Sequence, residues 1–264
     1  MTGAGPKDSP MLGVDGLSRR FGGVYALRDV SLRVSAGELR GVIGPNGAGK
    51  STLFHLIAGH LRPDAGRISL RGESVDALRP DQRARCGIAI VFQGVRIFRG
   101  MSVRENVMLG AHGRTRHGFL EAAIRGPLCR REEGDIRARA EIALERVGLA
   151  SLGDKPAESL PLGQQRSIQL ARALCAEPSL LLLDEPASGL RAAERRQLAA
   201  LLQDLRSNGL TMLLVEHDVA FVTGLSDRIT VLDLGRVIAE GEPATIREDD
   251  AVIAAYLGRP EASR

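Results

Sequence analysis

No tryptophan occurs in this 264-residue sequence, and tyrosine occurs only twice. A core of ordinary size must therefore be filled by aliphatic side chains, which the 44% hydrophobic content supplies. The same scarcity speaks against a platform on which nucleic-acid bases stack. The basic residues are scattered and lack interleaved aromatics, so no nucleic-acid partner is expected. Cysteine is scarce too. Cys86, Cys129 and Cys175 are odd in number and widely spaced, with no C-x-x-C pair. That argues against a disulfide framework or a zinc site and fits a reducing cytosol. No apolar run reaches the roughly 18 residues of a membrane span. Residues 1–10 carry Lys7 and Asp8 without the apolar segment of a signal peptide. If the chain works at a membrane, it is expected to lie peripherally on the cytoplasmic face while other chains cross the bilayer. The net charge of +4 fits a solvated surface with surplus arginine, or docking to an anionic membrane face.

What is present is an alternation. The length suits one large α/β domain, or one with a small appended subdomain. Short apolar runs between Leu12 and Val34, broken at Gly22 and Gly23, read as strands. Residues 39–43 read as a buried strand entering a glycine-rich loop, with a helix near 50–58. Residues 67–70, 88–92, 211–215 and 229–232 read as further strands, and four leucines at 180–183 have the pattern of a strand buried on both faces. Strands alternating with helices imply a mostly parallel sheet. The middle differs. Ser102 and Glu105 form a capping-box pair at a helix start. Residues 112–133, rich in arginine and glycine, are expected to form a long irregular insertion. Ile136, Ala140, Leu144 and Val147 recur at helical spacing. A helix is expected from Gly163 to Ala176, stopped by Pro178. Leu198, Leu201, Leu202 and Leu205 share one helical face. The expected plan is therefore an α/β core formed by 11–93 and 179–258, a helical subdomain at 94–178, and tails at 1–10 and 259–264.

The strongest local signal is the run Gly44, Pro45, Asn46, Gly47, Ala48, Gly49, Lys50, Ser51. It matches G-x-x-x-x-G-K-[ST] and stands between a strand and a helix. Glycines let the backbone curl so that successive amides face phosphate oxygens. The following helix adds its unpaired N-terminal donors. Lys50 brings positive charge to the β and γ phosphates of ATP, and Ser51 a hydroxyl to Mg²⁺.

The leucine run ends in Asp184 and Glu185. Two buried acids repel each other unless a cation lies between them. Beside a phosphate loop, Asp184 suits the shell of Mg²⁺ and Glu185 suits orienting and activating the attacking water. By itself the pair reads as a solvated acidic turn. His217 follows the strand 211–215, where a contact to the γ-phosphate competes with a structural role. Gln93 ends the strand 88–92, and its neutral amide can reach Mg²⁺ or the water.

Together these residues resemble the ABC (ATP-binding cassette) ATPase family over nearly the whole chain, from about Leu12 to Leu257. The resemblance implies a P-loop α/β cassette with a mostly parallel core sheet, an antiparallel β subdomain and an inserted helical subdomain. It places Phe21 as the aromatic that stacks on adenine and residues 44–52, Thr52 included, as the Walker A loop. It makes Gln93 the Q-loop, Asp184 the Walker B acid, Glu185 the catalytic base and His217 the switch histidine. Leu160 to Gln164 occupy the signature position, with Gly163 and Gln164 left to hold nucleotide, and 188–191 the D-loop. Phe21-Gly22-Gly23, Arg96-Ile97-Phe98-Arg99, Gly163-Gln164-Gln165-Arg166, Glu216-His217-Asp218 and the ending 252–258 look like the larger ATPase of branched-chain amino acid importers, a pattern shared with urea and amide importers. That implies a partner cassette in a homo- or heterodimer, two transmembrane permease chains and, indirectly, a solute-binding protein.

Two departures stand out. Pro161 and Leu162 replace the usual Ser and Gly of the signature, and Arg191 replaces the Asp or Asn that usually ends the D-loop. Pro161 has neither hydroxyl nor amide hydrogen. Both changes bear on the site this chain completes for its partner. The alternatives are a motor of a lipid or lipopolysaccharide exporter and an ABC ATPase outside transport. No sustained heptads separate Lys50 from Gly163, as the coiled coil of a repair-type cassette would require.

Overall fold

The computed structural model describes residues 10–111, 113 and 127–257. Two antiparallel strands open it, β1 (Leu12–Phe21) and β2 (Val24–Val34). They turn at Gly22, whose φ of 58° suits glycine. Strand β3 (Leu39–Ile43) leads into helix α1 (Lys50–Ile57). Strands β4 (Ala65–Leu70) and β5 (Glu73–Ser74) return to β1, giving a four-stranded antiparallel sheet in the order β2-β1-β4-β5. Helix α2 (Pro80–Arg85) and strand β6 (Ile88–Val91) follow. Three helices come next, α3 (Val103–Met108), α4 (Pro127–Arg146) and α5 (Leu162–Cys175), packed on one another. The chain then re-enters the core as β7 (Leu180–Asp184), α6 (Ala192–Ser207), β8 (Thr211–Val215), α7 (Val219–Leu225), β9 (Arg228–Asp233) and β10 (Arg236–Gly241). It closes with α8 (Pro243–Glu248) and α9 (Asp250–Leu257).

The second sheet has the order β10-β9-β3-β8-β7-β6. Its strands from β9 to β6 run parallel, and β10 lies antiparallel on the edge. Alternation along β7 and β8 divides their side chains between two cores. Leu180, Leu182, Leu213 and Val215 join α1 and the antiparallel sheet. Leu181, Leu183, Met212 and Leu214 join the helices of the opposite face. Each such leucine contributes about 1.5–3 kcal/mol through burial. Because the strands are parallel, the loops after β3, β6, β7 and β8 emerge at one edge, where α/β sheets take their ligands.

One expectation needs correction. Residues 127–133 are helical, as the start of α4. Arg131, Glu132 and Glu133 are good helix formers, and the polar run hides this because it lacks an apolar stripe. The rest of the expected insertion, apart from Gly113, lies outside the described residues, as do residues 1–9 and 258–264. The capping box forms as expected: Ser102 Oγ accepts the Glu105 amide at 3.2 Å, and Glu105 accepts the Ser102 amide at 2.7 Å.

Arg83 secures the far end of α1. It is almost fully buried, and its guanidinium donates to the carbonyls of Leu56 (2.5 Å), Ile57 (2.8 Å), Leu78 (3.1 Å) and Asp76 (3.2 Å). Ile57 is among the carbonyls a helix leaves unpaired at its C-terminus, and Leu56 accepts the Gly59 amide besides the guanidinium. Arg83 thus supplies from α2 what α1 lacks.

Candidate nucleotide site

Gly44 leaves β3 with φ 153°, and a Cβ there would overlap the Leu232 carbonyl oxygen. Gly49 caps α1 with φ 104°, and a Cβ there would strike the Ala26 carbonyl. No side chain caps α1, so its first-turn amides stay available to a phosphate. The Gly235 amide donates to the Ala48 carbonyl at 3.0 Å, bracing the loop from the β9–β10 turn. Lys50 is buried, and its Nζ donates to the carbonyls of Gly44 (2.7 Å) and Pro45 (3.0 Å). Burial holds the Lys50 pKa below its usual value, while Glu185 and Asp184 draw it back up. A ring of amides around one buried ammonium fits a polyphosphate.

Asp184 ends β7 and is buried. Burial pushes its carboxyl above the usual range and Glu185 adds to the shift, opposed by His55, His217 and Lys50. Glu185 stands in the left-handed region at φ 49°, held by its amide donating to the Val215 carbonyl at 2.9 Å. Its Oε2 accepts from Gln93 Nε2 at 2.5 Å, and its Oε1 lies 2.5 Å from His217 Nε2. Four strand ends therefore bring Lys50, Gln93, Asp184, Glu185 and His217 together. Among the described residues no cluster of three or more His, Cys, Asp or Glu is placed to hold a metal unaided. The donor set of Ser51, Gln93 and Asp184 suits Mg²⁺ only when phosphate oxygens complete its octahedron.

The remaining expected residues lie around this centre. Phe21 sits at the tip of the first hairpin, 48% exposed, with the Arg19 guanidinium 5.0 Å from its ring centroid. Gly163 and Gln164 lie in the first turn of α5 and line a cleft of about 670 Å³ together with Gln93 and Glu185; Lys50 does not line it. Pro161 stands as the N-cap of α5 with no side-chain hydrogen bond, and Leu162 is exposed. Arg191 is the N-cap of α6.

Sequence reasoning named Glu216 only within the run Glu216-His217-Asp218 and gave it no role. It is 4% exposed, and its carboxylate accepts the amides of Ala187 (2.6 Å) and His217 (3.3 Å). Burial raises its pKa. The available signal was an acid placed directly after the apolar run 212–215 of β8. Asp218, on the other side of His217, caps α7 by accepting the Phe221 amide at 3.0 Å and pairs with Arg195 at 2.5 Å.

A family profile described as ABC transporter matches residues 27–188. The chain belongs to the ATP-binding cassette family of ABC transporters and is an ATPase of that class. A second profile, described as Branched-chain amino acid ATP-binding cassette transporter, matches residues 236–262. The chain is 41% identical over 250 residues to the high-affinity branched-chain amino acid transport ATP-binding protein LivG of Salmonella typhimurium, covering 94% of this chain and 98% of the relative. Its identity to BraF of Pseudomonas aeruginosa, which carries the same description, is 40% with the same coverage. The lipopolysaccharide export system ATP-binding protein LptB of Acidithiobacillus ferridurans is 35% identical, with 95% and 98% covered. Among solved structures, a nucleotide-free ATP-binding cassette from an ABC transporter superposes with a TM-score of 0.82 at 29% identity, covering 94% of this chain and 99% of that one. A dimeric cassette bound to ADP and phosphate superposes at 0.75, with 26% identity and 88% and 99% covered. No described helix is long and apolar enough to cross a membrane.

Proposed function

We propose that this ATPase powers an importer of branched-chain amino acids or similar small polar solutes, peripheral on the cytoplasmic face of the membrane. In this reading it pairs with a second cassette, drives two permease chains and is served by a solute-binding protein. The observation that carries the reading is the 41% identity sustained over 98% of LivG, above the 35% to the lipopolysaccharide-export relative.

The site residues then take these roles. Phe21 stacks on adenine, and the amides of residues 44–52 with Lys50 cradle the phosphates. Bound Mg²⁺ supplies charge neutralisation at the β and γ phosphates, held by Ser51, Asp184 and Gln93. Glu185 orients the attacking water and takes its proton, and His217 contacts the γ-phosphate. The contact between Glu185 and His217 keeps both aimed at one point until nucleotide arrives. Helices α3 to α5, within 94–178, form the subdomain whose Gly163 and Gln164 face the nucleotide of the partner cassette.

A second cleft, of about 550 Å³, is lined by His60, Phe92, Arg96, Phe98 and Arg172 among others. Phe98 is 51% exposed with the Arg172 guanidinium 5.0 Å from its ring centroid, and Arg96 lies 4.5 Å from the Phe92 centroid. An apolar floor rimmed by arginines fits a short cytoplasmic helix of a permease.

The test is reconstitution with the permease and binding-protein chains in vesicles, with ATP inside. ATP-dependent uptake of labelled leucine is expected, as is cross-linking of a Phe98→Cys chain to a permease. ATP turnover without uptake of any branched-chain amino acid or amide would overturn the import reading.

A further inference from the structure

The first turn of α6 lies against the first turn of α5. Glu194 fills the space where a side chain at position 163 would begin, so that a Cβ on Gly163 would overlap its carboxylate. Its Oε2 accepts the Arg191 amide at 2.8 Å. Among the described residues no cation pairs with it.

One turn further along α5, Arg166 faces the same cleft. Its Nε and Nη1 are shut off from solvent yet donate to nothing. Buried guanidinium hydrogens without an acceptor are disfavoured strongly enough to demand a partner in some state of the protein. Gly163 and Arg166 stand at i and i+3, on one helix face and about 5–6 Å apart. Glu194 lines the same cleft as Arg166, on the facing helix.

We propose that Glu194 is a two-position carboxylate: it rests against Gly163 while the signature turn is empty and moves onto the Arg166 guanidinium when a γ-phosphate of the partner cassette's ATP arrives there. This rests on the reading that Gly163 and Gln164 face that nucleotide. A phosphate approaching the α5 amides meets the like charge of Glu194 at short range. Withdrawal to Arg166 removes the repulsion and satisfies the two idle donors, in exchange for the bond from the Arg191 amide. The neighbouring residue, Arg195, holds Asp218 beside His217. The turn that senses the partner's phosphate is therefore adjacent to the brace of this chain's own switch histidine. Arg146, Glu185 and Asp204 line the same cleft and complete its charged surroundings.

The test uses the reconstituted transporter and reads the ATP concentration for half-maximal hydrolysis. Glu194→Gln is isosteric and keeps an acceptor for the Arg191 amide. It is expected to lower that concentration about 3- to 10-fold, the effect of removing one charge several ångströms from a phosphate, and the gain should shrink at 0.5 M salt. Arg166→Gln is expected to raise it by a similar factor. The double variant should match Glu194→Gln alone, because without its charge the side chain has nothing to deliver to Arg166. Additive effects in the double variant, or no effect of Glu194→Gln, would overturn the proposal. If Glu185→Gln in the same complex leaves turnover intact, the reading of the site fails first, and the proposal falls with it.

Discussion

The Glu216 carboxylate accepts the Ala187 amide at 2.6 Å, which ties the end of β8 to the turn that follows Glu185. Its other oxygen accepts the amide of His217. One buried acid thus links the two sides of the contact between Glu185 and His217. Glu216→Ala leaves two amides without an acceptor, and a lost hydrogen bond of this kind lowers a rate by roughly 5- to 100-fold. The expected result is a fall in kcat of that size with KM for ATP changed by less than about 3-fold. Glu216→Gln, which keeps an acceptor, should recover most of the rate. Equal changes in kcat and KM would show a general loss of structure instead.

Glu185→Gln and Lys50→Ala should fail in different ways. The first removes help given only in the transition state, so ATP affinity stays and turnover falls on the order of 10²- to 10⁴-fold. The second removes the charge that meets the β and γ phosphates, so equilibrium titration with ATP should show weaker binding. Near-normal hydrolysis by the Glu185 variant would remove that residue from the role of base.

Asp184 carries a pH signature. Its folded-state pKa is raised by burial and by Glu185. The folded chain therefore keeps this proton at pH values where the unfolded chain has lost it. The stability from this group is fully present below the unfolded pKa and is lost as pH rises through the folded one. At neutral pH without nucleotide, Asp184→Asn should raise Tm by about 2–4 °C, the shift that 1 kcal/mol produces in a chain of this size. The variant's melting curve should also depend less on pH in the acid range. The stabilisation conferred by Mg²⁺ and ATP should shrink at the same time, since the carboxylate proposed to hold the metal is gone. Thermal melts across pH with and without Mg-ATP measure all three.

Arg83→Met keeps the apolar stem but abandons the carbonyls of Leu56, Ile57, Leu78 and Asp76. Leu56 keeps the Gly59 amide, and the carbonyls deprived of this donor put the expected loss at about 3 kcal/mol. Urea unfolding at constant m-value measures it. A loss below about 0.5 kcal/mol, the range of an ordinary surface change, would mean that water replaces the guanidinium without penalty.

Much of the fold was legible because its signals are local. The phosphate loop is a string of eight neighbours, each with its own steric or electrostatic reason. The four leucines announce a strand with no solvent face, and Ser102 with Glu105 marks a helix start within four residues. The start of α4 was not legible, because a helix made of arginine and glutamate presents no apolar stripe to count. Nor were the partnerships. Gln93 meets Glu185 across 92 residues, and Glu216 meets Ala187 across 29. Such pairs are created by the sheet order, which periodicity does not encode. Glu194 and Arg166 likewise come to line one cleft only through the meeting of α5 and α6.

The leucines of β7 carry a further consequence, for folding. A strand that slips by one residue normally betrays itself, since its polar face turns inward. Here Leu180 and Leu182 would trade places with Leu181 and Leu183, and both cores would still receive leucine. The apolar segment is blind to its own alignment. Discrimination falls to the end of the strand, because a slip in either direction breaks the bond from the Glu185 amide to the Val215 carbonyl and a slip in one direction draws a second carboxylate into the sheet. The end of β7 therefore doubles as a registration mark for the strand.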